Sequence, residues 1–174
     1  ARARADTPAR SARAMISDTR CPPLRAPLAQ ARERFAAYPF VEYALLNIDA
    51  DPRLQGFATR QVDLVIATNV LHATPALRNT LRHCHAMLRP GGLLIANEAL
   101  RASALFQISF GLTDGWWLFA ESADAERAGA TSPLLDLPAW TRLLAGCGFA
   151  RAHAMRGGAF LASQAVLVAQ AAGA

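Results

Sequence analysis

The chain has 174 residues with 53% apolar content, enough for one domain with a core, and its apolar runs are strand-sized, far short of a membrane span. Its formal charge of +5 comes wholly from arginine, and eight of the eighteen Arg fall in residues 1–34 beside only Asp6, Asp18 and Glu33. The remainder is neutral, so no basic face for nucleic acid is expected.

Residues 1–27, dominated by Ala, Arg and Pro, show neither strand alternation nor a helical stripe, and read as a disordered or non-native N-terminal segment. The composition is that of GC-rich coding sequence read out of frame. No apolar stretch of the kind a secretory signal needs follows these arginines.

From Leu28 the texture changes. LAQARERFAAY places Leu28, Ala31 and Phe35 on one face of a short helix, which Pro39 ends. Phe40 to Ile48 reads as a strand, closed by the acidic turn DADP. Val62 to Thr68 is the next strand, and its nearly unbroken apolar run predicts burial on both faces. A helix over Ala76 to Leu88 carries Leu77, Leu81, Cys84 and Leu88 at core spacing; Arg89-Pro90-Gly91-Gly92 stops it, and Leu93 to Asn97 is a further buried strand. Strand, helix and strand make one βαβ unit. It delivers Asn69 and His72 at the end of its first strand, and Asn97 and Glu98 at the end of its second, where open parallel sheets hold ligands.

Ala99 to Ser132, with FGLTDGWWLF and then a polar run, is too long and aromatic for a plain connection and reads as an inserted lid. Leu137 to Ala145 is a helix with Asp136 as N-cap. Phe149 to Met155 and Ala165 to Gln170 form an antiparallel hairpin at the sheet edge.

His72 is placed to act as a general base, with Glu98 as its partner, or else to stabilise its turn while Glu98 is a solvated strand-end acid. Asn47 is either a ligand-binding residue or part of the DADP turn. Trp116 and Trp117 close over a substrate or anchor the lid, and a tandem pair tends to send one ring inward and one outward. His83, Cys84 and His85 are consecutive on a helix and cannot converge on one metal ion. Cys21, Cys84 and Cys147 lack pair spacing, which suits reduced thiols in a cytoplasm; Cys147 has no neighbouring His to make it a nucleophile.

From Leu28 to the C-terminus the chain resembles the C-methyltransferase domains of polyketide synthases, a branch of the S-adenosylmethionine-dependent, Rossmann-like methyltransferases. ARERFAAYPFVEY, LLNIDADP, VDLVIATNVLHAT, LRNTL, MLRPGGLLIANE, FGLTDGWW and LPAWTRLLAGCGF carry the resemblance. It implies an α/β fold with a mostly parallel sheet and a C-terminal antiparallel hairpin. Residues 28–174 would be the methyltransferase domain, with the lid at 99–132. It also implies methylation of the α-carbon of a β-ketoacyl thioester on an acyl carrier protein, alongside other polyketide synthase domains. In that family the residue matching His72 is the base and the one matching Glu98 orients it. Asn69 matches a position near the methionine part of S-adenosylmethionine, Asn47 and Ile48 border its adenine, and Trp116 and Trp117 lie on the substrate side. The first strand and glycine-rich cofactor loop of the family have no counterpart in this sequence. A truncated domain is therefore expected; the alternatives are a split fragment acting only through association, and an O-methyltransferase.

Overall fold

The computed structural model describes residues 12–17, 25–121, 124–156 and 163–173. Strand β1 (Ala12–Ser17) runs parallel to β2 (Val41–Leu46), with Ala12 opposite Val41 and Ser17 opposite Leu46. Local composition gives no strand signal before Leu28. The pairing with β2 supplies the ladder partners that the sequence pattern does not reveal. Helix α1 (Arg25–Arg34) begins ahead of Leu28, because Pro27 sits in its first turn, where a missing N–H costs no helical bond. Tyr43 of β2 donates its hydroxyl to Ala31 O at 3.3 Å and Arg32 donates to Tyr43 O at 3.1 Å, which ties α1 to the strand.

The second sheet has the order β3-β4-β6-β5, built from β3 (Val62–Thr68), β4 (Leu88–Ala99), β5 (Phe149–Arg156) and β6 (Gln164–Ala171). β3 and β4 are parallel, and β6 is antiparallel to both β4 and β5. The α/β architecture is as read from the sequence, in the form of a mixed sheet with the hairpin at its edge. The turn at Arg89–Gly92 lies inside β4 as an irregularity: Val62 faces Leu88, and Leu64 already faces Leu93. Glycine suits position 92, since a Cβ would be crowded at 3.0 Å from Arg89 O and 3.1 Å from Asp63 O, and Gly91 takes a φ of 77°.

Helices α2 (Leu77–Met87) and α5 (Leu137–Gly146) supply Leu77, Leu81, Met87, Trp140, Leu143 and Leu144 to one core with Leu94, Ala96, Leu167 and Ala169 of the sheet. β6 alternates buried and half-buried along its length, the period of a sheet with one well-covered face. β3 departs from the expectation of burial on both faces: Leu64 is 41% and Ile66 68% exposed. Its only strand partner among the described residues is β4, so it forms the sheet edge. No helix among the described residues is long and apolar enough to cross a membrane.

Candidate active site

The site begins where β3 stops. Asn69 takes a left-handed backbone, φ 48°, a region that Asn tolerates better than most residues. Its N–H donates to Asn97 O at 2.7 Å, and its Oδ1 accepts from Ala99 N at 3.1 Å. The ends of β3 and β4 are thereby fastened together, and the chain turns into a short 3-10 helix, Leu71–Ala73.

Strand alternation explains the buried acid. Leu94, Ala96 and Glu98 occupy successive inward positions of β4, so the carboxylate continues a core-facing series and is fully buried. Burial of a carboxylate demands partners, and three are present. Glu98 Oε1 accepts from Val70 N at 3.2 Å and Leu71 N at 3.0 Å, and Oε2 lies 2.5 Å from His72 Nδ1. A carboxylate only accepts, so Nδ1 carries the proton and Nε2 is left as the basic nitrogen. The ring sits edge-on to Trp116, with centroids 6.4 Å apart.

A cavity of about 310 Å³ opens at this point, lined by Asn69, His72, Ala99, Phe106, Phe110 and Trp116 among others. Its aromatic wall comes from the segment after β4, which folds as α3 (Ala104–Ser109), α4 (Asp114–Trp117) and short 3-10 turns. Trp116 is buried and stacks on Phe110 at 6.2 Å. Trp117 points away: it is 45% exposed, donates its indole N–H to Gly111 O at 2.9 Å and stacks on Phe119.

The structure thus gathers Asn69, His72, Glu98 and Trp116 at one place. Trp117, Asn47 and Ile48 are not among the residues lining that cavity. Asn47 Oδ1 accepts from Asp49 N at 3.0 Å, the bond of a turn-forming Asn. Ile48 is buried in the core, and its carbonyl accepts from His83 Nδ1 at 2.7 Å. His85 instead packs edge-on to Phe149, so the two histidines of α2 serve different surroundings. Burial pushes the Cys84 thiol up to about 12 and raises that of Cys147, so neither thiol is poised as a nucleophile.

Sequence reasoning missed Asp124 and Arg127. Arg127 is 3% exposed and donates to His72 O at 2.9 Å, to Thr74 O and Pro75 O at 2.8 Å, and to Asp124 Oδ2. Desolvation pulls its pKa below that of an ordinary arginine, and Asp124 opposes that shift. Their spacing of three residues in a polar run was the available signal, but it equally suits a solvated surface pair.

A family model described as a methyltransferase domain matches residues 23–94. Squalestatin hexaketide synthase of a Phoma species is 43% identical over 122 residues, which is 70% of this chain and 5% of that protein. Among solved structures, the CurJ carbon methyltransferase has a TM-score of 0.77 at 39% identity, over 84% of this chain and 39% of that one. The trans-methyltransferase CalH, solved in complex with SAH, has a TM-score of 0.73 at 35% identity, over 83% of this chain and 39% of that one. The chain therefore spans about two fifths of those solved chains and a small fraction of the synthase. With a mixed α/β sheet, a buried His–Glu pair at its strand ends and these likenesses together, the chain is similar in sequence and in fold to the C-methyltransferase domains of polyketide synthases.

Proposed function

We propose that this chain carries the base-bearing part of an S-adenosylmethionine-dependent methyltransferase that acts on the α-carbon of a β-ketoacyl thioester held on an acyl carrier protein. The observation that carries the reading is the 2.5 Å contact between His72 Nδ1 and the fully buried Glu98, at the wall of a cavity with aromatic lining. A carbon flanked by a ketone and a thioester is acidified by both, so its proton can pass to a neutral imidazole nitrogen. His72 Nε2 takes that proton and leaves an enolate, while Glu98 holds the ring and stabilises the imidazolium. Phe106, Phe110 and Trp116 exclude water from the reacting carbon.

At one end of this arrangement Asn69 is the residue for the cofactor. Asn69 lines the cavity, and with its Oδ1 bound to Ala99 N its amide N–H groups remain to donate to the methionine part. Asn47 and Ile48, at the end of β2, are the residues for the adenine, and Trp117 is the outer residue of the substrate side. When bound, S-adenosylmethionine supplies an electrophilic methyl group on a sulfonium sulfur. Other domains of a synthase would present the acyl chain, in a cytoplasmic setting consistent with buried, reduced thiols.

Calorimetric titration of the purified chain with S-adenosylmethionine, followed by mass spectrometry of a carrier-bound β-ketoacyl thioester, tests the reading. Saturable binding and a gain of one methyl group are expected, and His72→Ala should slow transfer by about 10²- to 10⁴-fold. A folded chain that neither binds the cofactor nor methylates the thioester overturns it. In that case the β3 edge, without a strand partner on its outer side among the described residues, favours a fragment that works by association.

A further inference from the structure

His72 and Glu98 account for the proton chemistry at the cavity wall, yet a buried cation, Arg127, holds the backbone behind them. We propose that Arg127 is a positioning residue for the base: from the lid segment it grips the backbone that carries His72 and so fixes the imidazole against Glu98. The proposal rests on the functional reading above and deepens it by adding a residue outside the His–Glu pair.

The contacts are specific to an arginine. Its Nη1 donates to His72 O at 2.9 Å, and its Nη2 donates to Thr74 O and Pro75 O, both at 2.8 Å. Nε and Nη2 donate to Asp124 Oδ2 at 3.0 and 2.7 Å, so the charge is balanced where it is buried. A planar fork with five N–H groups can satisfy carbonyls on one side and a carboxylate on the other; an ammonium cannot reproduce that geometry. The Phe119 ring lies 5.8 Å from the guanidinium carbon.

The grip falls on the turn that carries the imidazole. Within the turn at residues 71–75, Thr74 Oγ1 donates to Leu71 O at 2.8 Å and accepts from Thr80 Oγ1 at 2.9 Å. A short histidine–carboxylate hydrogen bond tolerates little displacement of the turn, because its strength depends steeply on distance and angle. Asp124 also accepts from Leu77 N at 3.0 Å, capping α2, whose own N-cap residue Ala76 has no side-chain acceptor. Glu126 pairs with Arg78 on the same helix. One short stretch of the lid thus holds the start of α2 and the turn that bears the base, while Phe106, Phe110 and Trp116 of that same lid line the cavity. Displacing the lid at residues 124–127 releases His72.

The test is proton NMR of the 174-residue chain, reading the far-downfield signal of the His72 Nδ1–H in its short bond to Glu98, assigned by its loss in His72→Ala. The double variant Asp124→Asn/Arg127→Gln removes both charges and avoids an orphaned buried ion. Arg127→Lys keeps the charge and loses the fork. Loss of the signal in both, with the remaining spectrum of the folded protein kept, is the expected result. Should the double variant fail to fold, Arg127→Lys decides alone. Retention of the signal at its original position and intensity in a folded variant overturns the proposal, as does its absence from the unmodified chain. The transfer assay is scored separately: failure to methylate sinks the functional reading, whereas the resonance reports on Arg127 whether or not transfer occurs.

Discussion

Glu98 does two things that a single substitution separates. Its Oε1 receives two backbone N–H groups, which is structural, and its Oε2 holds Nδ1–H of His72, which sets the tautomer. In Glu98→Gln the carbonyl oxygen still serves the backbone, but the amide N–H₂ faces Nδ1 and turns that nitrogen into an acceptor. The proton then sits on Nε2, and the base is lost without loss of the fold. Methyl transfer by this variant is expected to fall by about 10³-fold or more, on the scale of wrong-tautomer defects in catalytic triads, while the urea midpoint moves little. An unchanged rate would show that His72 is not the base. His72, Glu98 and Asn69 were legible as a group because strand ends in a βαβ unit must converge. Arg127 was not legible, since its acceptors at His72, Thr74 and Pro75 lie more than 50 positions away and nothing local marks a buried arginine. The tandem tryptophans show the same limit: the pattern says one turns in and one out, and only packing against Phe110 selects Trp116.

At the scale of elements, α5 is the clearest case of a helix written into its own sequence. Asp136 Oδ1 accepts from Ala139 N at 2.8 Å, Pro138 lies in the first turn, and Trp140, Leu143 and Leu144 face the core. Asp136 is exposed, so its replacement tests the cap without disturbing packing. Asp136→Ala should destabilise the chain by about 1 kcal/mol and Asp136→Gly by only a few tenths, read as a shift in urea midpoint with unchanged slope. Equal losses would mean that the helix start is held by its neighbours and not by the cap. The elements that escaped the sequence reading did so because their partners are distant. β1 exists through its parallel register with β2, and the Pro90-Gly91-Gly92 turn becomes a bulge within β4 because β3 pairs on both sides of it. Burial of β3 was overestimated for a related reason: an apolar run shows that a strand can be covered on two faces, not that covering elements are present.

At the largest scale the described residues hold a two-stranded parallel sheet and a four-stranded mixed sheet, with an exposed apolar strand at the border of the second. β3 hydrogen-bonds to β4 along one side, and its Leu64 and Ile66 side chains are 41% and 68% exposed. Nearby surface apolar residues elsewhere need no special account, but a strand with an open backbone edge and exposed aliphatic side chains is a template for pairing with another chain. The chain should therefore self-associate as its concentration rises, seen as an increasing weight-average mass in sedimentation equilibrium. Ile66→Lys should return it toward monomer, because a charge on an edge strand opposes strand addition. Leu54→Lys is the control, since Leu54 is 88% exposed but lies in a 3-10 turn and not in a strand. If both substitutions reduce association equally, general surface hydrophobicity is responsible and the edge has no special part. If only Ile66→Lys does so, the edge is the sticky element, and cofactor titrations of this chain have to be run below the concentration at which β3 is occupied by another copy.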